Sequence, residues 1–292
     1  MTKKMTPQKA LRLAGRGVTG TISAVARIIV CIIFFFPFYW MMVTAFKSNL
    51  EAMQTPPTLW PETFTLYGFE TVFEQMDMWK YIKNSLIVVV VNTVLMTIIM
   101  VPAAYAFAKS KFAGKGFLWI LLMVSFMVPS CVTFMHVYRM FAETTMSNGK
   151  SILDSLWPQI LPCICNTWGI FLLRQSFMQV PEELIESARL DEANEFQVIT
   201  KIMLPMAKSQ IVTLMLLSVM GTWNSYFWPL MMTIHDEWRP LPVAIELLKA
   251  LGEGIEWPII MAGNFILVAP VLIAFLIASK QIISSMAYRG VK

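Results

Sequence analysis

The sequence predicts an all-α membrane protein with six transmembrane helices. Hydrophobic residues make up 57% of its 292 positions and charged residues 14%, whereas soluble domains carry about 45–50% and about 25%. Six windows without Asp, Glu, Lys or Arg are each 19 or more residues long, and a helix needs about 20 residues to cross a bilayer. The predicted spans are residues 28–46, 84–108, 116–138, 155–173, 209–235 and 257–279.

The distribution of basic residues predicts that both termini lie in the cytoplasm. Lys and Arg accumulate on the cytoplasmic side of membrane proteins. With the N-terminus inside, the inner segments carry 16 of the 23 Lys and Arg residues, and the outer segments carry 12 of the 18 Asp and Glu residues. The net charge of +5 therefore reflects membrane topology. We expect membrane lipid and no nucleic acid as a partner, because no basic run is interleaved with aromatic residues.

The chain is predicted to form one transmembrane domain over residues 28–286, between a cytoplasmic segment, 1–27, and a cytoplasmic tail, 287–292.

Short helices and kinks are predicted around the spans. Apolar residues at helical spacing indicate a surface helix over 65–79 and another over 243–251, the second ending near Gly252. Pro129 and Pro162 lie inside predicted spans and are expected to kink the helices.

The predicted spans offer no obvious energy source of their own. They contain no carboxylate, and their two histidines are His136 and, at the end of the fifth window, His235. Carriers driven by protons or ions usually need intramembrane charges, although sodium sites built from backbone carbonyls remain open. No segment fits the GxxxxGK[ST] pattern for ATP, since residues 15–21 read GRGVTGT. Energy for transport would therefore come from another chain.

The four cysteines, Cys31, Cys131, Cys163 and Cys165, all fall inside predicted spans without metal-ligand spacing. We interpret them as small apolar residues and expect no catalytic residue, metal or cofactor in this chain.

The charged stretch 181–205, between spans four and five, is predicted to form two short cytoplasmic helices. Pro181 suits the first helical position, and the acidic residues after it suit the positive end of the helix dipole. Asn194 is expected to take a left-handed turn conformation, and Leu204-Pro205 to end the second helix. A solvated helical loop is the simpler alternative.

This stretch resembles the EAA signature of ABC importer permeases, EAAxxDGA followed by IxLP. Ser187 and Glu192 stand where the family has its second alanine and its glycine. Further similarity points to the second permease subunit of carbohydrate importers related to the maltose transporter. The similar blocks are PFYWMMVTAFKS (37–48), PPTLWP (56–61), NSLIVVVVNT (84–93), AAYAFAKSKFAGK (103–115), GIFLLRQSF (169–177), TWNSYFWPL (222–230) and RPLPVA (239–244).

The resemblance implies the type I ABC importer permease fold in the cytoplasmic membrane of a prokaryote. It also implies three kinds of protein partner: a second, different permease, two ATP-binding subunits that hold Mg-ATP, and an extracytoplasmic sugar-binding protein. Stretch 181–205 would be the coupling loop, with Glu186 as the principal polar contact and Ala188 kept small. The implied coupling residues are Glu186, Ser187, Ala188, Asp191, Glu192, Ala193, Phe196, Leu204 and Pro205.

A path for a neutral sugar needs amides, hydroxyls and aromatic faces instead of charge. The candidate residues are Asn166, Trp168, Trp223, Asn224, Tyr226 and Asn264. Each also has a structural interpretation, since aromatic residues collect at membrane interfaces and amides hold helices together. Asn92, Thr93 and Thr97 are interpreted as such interhelical hydrogen-bonding residues.

The preferred hypothesis is the permease subunit of an ATP-driven carbohydrate importer that is not itself an enzyme. One alternative is an ABC permease for glycerol phosphate or another polar solute. An ion-coupled carrier is disfavoured by the uncharged spans. A membrane transferase is disfavoured because the acidic residues of 182–195 are joined by no His, Cys or DxD motif.

Overall fold

The computed structural model describes residues 7–147, 149–249 and 255–287. Within these ranges the regular structure is helical, with one isolated β-bridge between Thr145 and Ser151. The first six residues, Gly252 and nearly all of the predicted tail lie outside the described residues.

The helices follow one another along the chain with short connections. They are α1 (Pro7–Ala45), α2 (Asn49–Ala52), α3 (Tyr67–Gln75), α4 (Met78–Lys109), α5 (Lys115–Met127), α6 (Ser130–Glu143), α7 (Trp157–Ile160), α8 (Thr167–Met178), α9 (Glu182–Leu190), α10 (Glu195–Val198), α11 (Leu204–Met206), α12 (Lys208–Trp223), α13 (Phe227–Met232), α14 (Leu241–Leu248) and α15 (Trp257–Ala287). Shorter elements are the 3-10 turns Leu161–Cys163 and Asp236–Trp238 and the π-helix Ile199–Met203.

The chain divides into two compact units, one made of residues 1–74 and 252–265, the other of residues 75–251 and 266–292. In the first unit, α3 confirms the predicted surface helix. It packs closely against the start of α15, because a Cβ added to Gly68 would lie 2.6 Å from the carbonyl oxygen of Pro258. No helix end marks the predicted boundary at residue 27, since α1 continues from Pro7 to Ala45. Charge limits the part of a helix that can enter lipid but does not end the helix.

A buried Lys and a buried Glu organise the loop that follows α1. Lys47 is 1% exposed and Glu51 is 4% exposed. The Lys47 ammonium donates to the Thr58 carbonyl oxygen at 2.5 Å, while the Thr58 hydroxyl donates to Glu51 at 2.8 Å. The Glu62 amide also donates to Glu51, at 2.9 Å. These bonds hold residues 53–66 against the end of α1.

In the second unit, α4 is the central helix and packs against α8 and α12. Its residues Met96, Met100 and Ala104 are buried with Leu173 of α8 and Leu214 of α12. Since these side chains carry no polar atoms other than sulfur, they form a continuous apolar core along α4.

The loop at 236–241 is fastened to the first turns of α4. Asp236 accepts hydrogen bonds from Lys80 at 2.5 Å and from Tyr81 at 2.8 Å, and the Asn84 amide donates to the Glu237 carbonyl oxygen at 2.7 Å. Burial by itself would raise the pKa of Asp236, but the hydrogen bonds from Lys80 and Tyr81 outweigh it and lower that pKa.

Three helical segments are long and apolar enough to cross a membrane: Ser23–Ala45 within α1, the whole of α4, and Trp257–Ile277 within α15. Two pairs of consecutive helices, each joined at a sharp bend, also meet this test when each pair is taken as one span. The angle is 95° between α5 and α6, and 84° between Glu195–Met206 and α12. The described residues therefore contain three to five candidate spans, and six spans remain a prediction.

The fourth and fifth windows are not single helices, contrary to the prediction. Within 155–173, α7 and a 3-10 turn are separated from α8 by residues 164–166, and within 209–235, α12 and α13 are separated by residues 224–226.

Proline and amide side chains account for several of these breaks. Pro158 and Pro162 lack the backbone donor that a continuous helix requires. Asn166 then starts α8, since its side-chain oxygen accepts from the Gly169 amide at 2.9 Å. Pro129 precedes the first residue of α6, at the 95° bend, which confirms the kink predicted there.

Candidate functional site

One fully buried side chain anchors helix α9, at the start of the charged loop. Ile185 is 0% exposed and packs in the main core of the second unit with Phe177, Val198 and Met203. The residues on the other faces of α9 are largely exposed, including Glu183 and Ser187. Helix α9 therefore turns one side to the core and offers the opposite side to solvent or to another chain.

The turn after α9 requires a left-handed residue, and that residue is Glu192. The Ala193 amide donates to the Ala188 carbonyl oxygen at 2.9 Å, and the Glu192 amide donates to the Arg189 carbonyl oxygen at 3.1 Å. This is the Schellman arrangement, in which the residue after the C-cap is left-handed and is usually glycine. Glu192 has φ 59° and is the one non-glycine residue with positive φ in the described chain.

The expectation that Asn194 takes the left-handed conformation is therefore wrong. Asn194 has φ −76° and caps α10 instead. Its side chain accepts from the Gln197 amide at 2.9 Å, and the Gln197 side chain accepts from the Asn194 amide at 2.9 Å. This reciprocal pair is a capping box.

Glu192→Gly is expected to stabilise the protein by about 1 kcal/mol, because a left-handed residue with a side chain costs about 1–2 kcal/mol. The midpoint of thermal unfolding in detergent should rise by about 2–4 °C. Glu192→Ala is the matched control, since it removes the charge and keeps the Cβ. An equal rise for both variants would show that charge, and not backbone conformation, sets the cost.

The predicted helix end at Leu204-Pro205 is also wrong, because the helical stretch that begins at Glu195 continues to Met206. The π-helix Ile199–Met203 makes this possible. The Leu204 amide donates to the Ile199 carbonyl oxygen, five residues earlier, and this wider ladder accommodates the proline. The sharp bend follows at Ala207, before α12.

Polar side chains fasten the loop to the end of α4. Tyr105 donates to a Glu195 carboxylate oxygen, and Arg189 donates to the other oxygen at 3.0 Å. Lys109 donates to the Val180 carbonyl oxygen at 2.6 Å and lies 3.4 Å from Glu182. Because Tyr105 and Lys109 belong to α4, the loop and this central helix are joined by hydrogen bonds as well as by apolar packing.

The proposed coupling residues divide into an exposed group and a packed group. The packed group is Ala188, Ala193 and Leu204, which are half-buried against the main core. Phe196 belongs to the exposed group, since its side chain is 74% exposed. The exposed polar and turn residues are Glu186, Ser187, Asp191, Glu192 and Pro205. Their role in coupling remains a prediction.

A second candidate site is an uncharged cavity of about 650 Å³ in the second unit. It is lined by α4, α5, α6, α12 and the start of α8. Two of the predicted sugar-path residues, Asn166 and Trp168, lie in its wall. Sequence reasoning did not select Ser218 and Thr222 of α12, which also line it. Their four-residue spacing on an apolar helix was the available signal.

The other predicted sugar-path residues are not in the wall of this cavity. Trp223 is 3% exposed and its indole N–H donates to the Leu267 carbonyl oxygen at 2.8 Å. Asn224 is exposed and donates to the Met220 carbonyl oxygen at 2.9 Å. Tyr226 is 40% exposed. Asn264, in the first unit, donates to the Ile260 carbonyl oxygen at 2.9 Å.

Comparison with known proteins places the chain in a family. Residues 99–280, more than half of the chain, match the family described as "Binding-protein-dependent transport system inner membrane component". The chain belongs to this family. Membership confirms the resemblance to ABC importer permeases and makes the protein a membrane permease. It decides against the ion-coupled carrier and the membrane transferase.

Several bacterial permeases are similar to this inner membrane component along most of its length. The Arabinooligosaccharides transport system permease protein AraQ of Halalkalibacterium halodurans is 26% identical over 88% of this chain and 91% of that protein. The Diacetylchitobiose uptake system permease protein DasC of Streptomyces coelicolor is 28% identical over 88% of this chain and 91% of that protein. A putative ABC transporter permease of a Caldicellulosiruptor species is 30% identical over the same shares.

The fold of this inner membrane component is similar to that of a chain in a bacterial ABC transporter involved in the import of the acidic polysaccharide alginate. The two chains superpose with a TM-score of 0.78 at 21% identity, over 96% of this chain and 99% of that one. The all-helical permease fold is thereby established.

Proposed function

We propose that this permease is a subunit of an ATP-driven importer of an oligosaccharide, and that loop 181–205 couples it to partner ATPase subunits. The relatives named for arabinooligosaccharides and diacetylchitobiose support the substrate class. The absence of a P-loop motif from the sequence supports an external source of energy.

The observation that carries the coupling role is the two-sided environment of α9. Ile185 fixes one side in the core that α4, α8 and α12 share, while Glu186 and Asp191 are exposed. A partner that pushes on the exposed residues would move the core with them, because the core is closely packed and deforms little. Such a movement would switch the permease between inward-facing and outward-facing states.

The same proposal includes the rest of the assembly. A second, different permease would complete the pathway, two ATP-binding subunits would bind Mg-ATP, and a sugar-binding protein would deliver the substrate. A solved alginate transporter of similar fold was crystallised with a pentasaccharide-bound periplasmic protein, which supports the last of these partners. We further propose six spans, cytoplasmic termini, and a location in the cytoplasmic membrane of a prokaryote.

The combined variant Glu186→Lys, Ala188→Trp tests the coupling role. It reverses one exposed charge and adds bulk where a close contact is proposed. We expect at least about a tenfold loss of both ATPase co-purification and oligosaccharide uptake, which corresponds to about 1.4 kcal/mol of lost contact.

Glu74→Lys is the matched control, since it reverses an exposed charge on α3, outside the loop. Unchanged uptake and unchanged substrate-stimulated ATP hydrolysis in the combined variant would refute the coupling assignment.

A further inference from the structure

The uncharged cavity in the second unit is lined by groups that suit sugar hydroxyls. Hydroxyls come from Ser125, Thr133, Ser218 and Thr222, an amide comes from Asn166, and an indole comes from Trp168. Hydroxyl and amide groups can each both donate and accept hydrogen bonds. A sugar has the same dual character at every hydroxyl, so this wall can match it without charge.

The charge of the lining restricts the class of sugar. None of the described residues that line the cavity is Lys, Arg, Asp or Glu. A carboxylate or phosphate on a substrate would call for a cation, since Arg and Lys form the strong contacts to such anions. The lining therefore favours a neutral sugar over an acidic one or a glycerol phosphate.

Two buried amides, one in the wall of this cavity and one in the wall of its neighbour, have unused hydrogen-bonding capacity. Asn92 donates to the Thr222 hydroxyl at 2.8 Å, but its side-chain oxygen is buried without a hydrogen bond to the described chain. The side-chain oxygen of Gln159 is likewise buried without a hydrogen bond to the described chain. Gln159 lines a smaller neighbouring cavity of about 120 Å³, which shares Gly221 and Thr222 with the larger one.

An unsatisfied buried acceptor costs about 1–3 kcal/mol. Both oxygens are enclosed in this conformation, and a sugar could reach them only if the helices around them separated. Sugar hydroxyls entering at that point would supply the missing donors.

We propose that this chain itself provides a binding subsite for one neutral sugar unit of the transported oligosaccharide. The unit lies in the larger cavity, with an apolar ring face on Trp168 and hydroxyls bonded to Asn166, Ser218 and Thr222. The oligosaccharide continues towards Gln159 through the smaller cavity. This inference rests on the proposed function, because it needs the permease to carry an oligosaccharide.

Gly221 allows a direct test, because it lines both cavities and a Cβ built on it meets no atom within 4 Å. Gly221→Phe would place a ring at the wall that the two cavities share, on a backbone position where the added Cβ itself meets no atom. Gly221→Ala is the matched control, since it adds one methyl group and favours the helix. Trp168→Leu is a second variant that removes the stacking surface and leaves the cavity open.

Cys163 serves as a reporter, because it is exposed and lines both cavities. The other three cysteines are changed to serine in the complete transporter, reconstituted in nanodiscs. The rate at which a cationic methanethiosulfonate labels Cys163 is measured with arabinotriose, diacetylchitobiose and an alginate trisaccharide. Import of each sugar is measured in proteoliposomes of the same preparation.

We expect a neutral oligosaccharide that is imported to slow labelling about tenfold at ten times its dissociation constant. The alginate trisaccharide should give no protection. Protection should persist in Gly221→Ala and should be lost in Gly221→Phe and Trp168→Leu.

Import without any protection of Cys163, or protection that survives Gly221→Phe, would overturn the subsite and leave the proposed function standing. Absence of import for every sugar, with intact ATPase partners, would count against the proposed function and with it the subsite.

Discussion

Lys47→Met is expected to destabilise the first unit by about 1–3 kcal/mol, because it removes the ammonium that donates to the Thr58 carbonyl oxygen and leaves that acceptor without its donor. Lys47 and Glu51 are 1% and 4% exposed, and Thr58 bonds to both. The loss should appear as a lower midpoint of thermal unfolding in detergent, and as earlier proteolysis of residues 53–66.

The double variant Lys47→Met, Glu51→Gln is the control for this effect. It removes both charges and should recover part of the lost stability, because no buried carboxylate is then left without a nearby cation. A midpoint for Lys47→Met equal to that of the unaltered protein would show that the contact between Lys47 and Thr58 does not stabilise this loop.

The carboxylate of Glu51 also makes the stability of the first unit depend on pH. Burial would raise the pKa of Glu51, but hydrogen bonds from the Glu62 amide and the Thr58 hydroxyl, with the charge of Lys47, lower it below 4.5. A pKa that is lowered by folding adds stability above the unfolded value, and this contribution is lost as the pH falls through the folded value. Glu51→Gln should remove this part of the acid sensitivity.

Ile185→Ala is expected to loosen α9 by about 2–5 kcal/mol, the usual cost of removing a buried Ile side chain down to Cβ. Ile185 is the one fully buried side chain of α9. Amide hydrogen exchange in residues 182–190 should accelerate. Oligosaccharide import should fall more than ATP hydrolysis does, because a loosened α9 moves without moving the core.

Leu190→Ala is the matched control, since it makes a similar truncation on the same helix at a side chain that is 85% exposed. It should leave exchange in α9 almost unchanged. Equal exchange rates in both variants would show that Ile185 does not anchor the helix.

The membrane class and the long helices could be predicted from the sequence, because the cost of charge in lipid is a local property of each residue. The breaks were harder to predict. Pro129 indicated the bend before α6, but the unwound residues 164–166 and 224–226 lie inside runs that, like the run in α4, contain no Asp, Glu, Lys or Arg. In these segments, packing and side-chain caps such as Asn166 decide where a helix ends.

In the coupling loop, too, some features could be predicted from the sequence and others could not. Its two helices and the special character of position 192 were readable from residue pattern and family resemblance. Ile185 was missed because one buried residue on a nine-residue amphipathic helix is identified only by the core it meets. Asn194 was assigned to the turn because isolated Asn tolerates left-handed geometry, yet a capping box with Gln197 is the stronger local use of that side chain.

Helix α4 connects two loops that lie far apart along its axis. Tyr81 bonds to loop 236–241 through Asp236, and Tyr105 bonds to loop 181–205 through Glu195. The two tyrosines are separated by 24 residues of one helix, or about 36 Å. A tilt of about 10° around the middle would displace each end by about 3 Å in opposite directions. Through these two hydrogen bonds, a rigid tilt of α4 that moves loop 181–205 would also move loop 236–241, in the opposite direction.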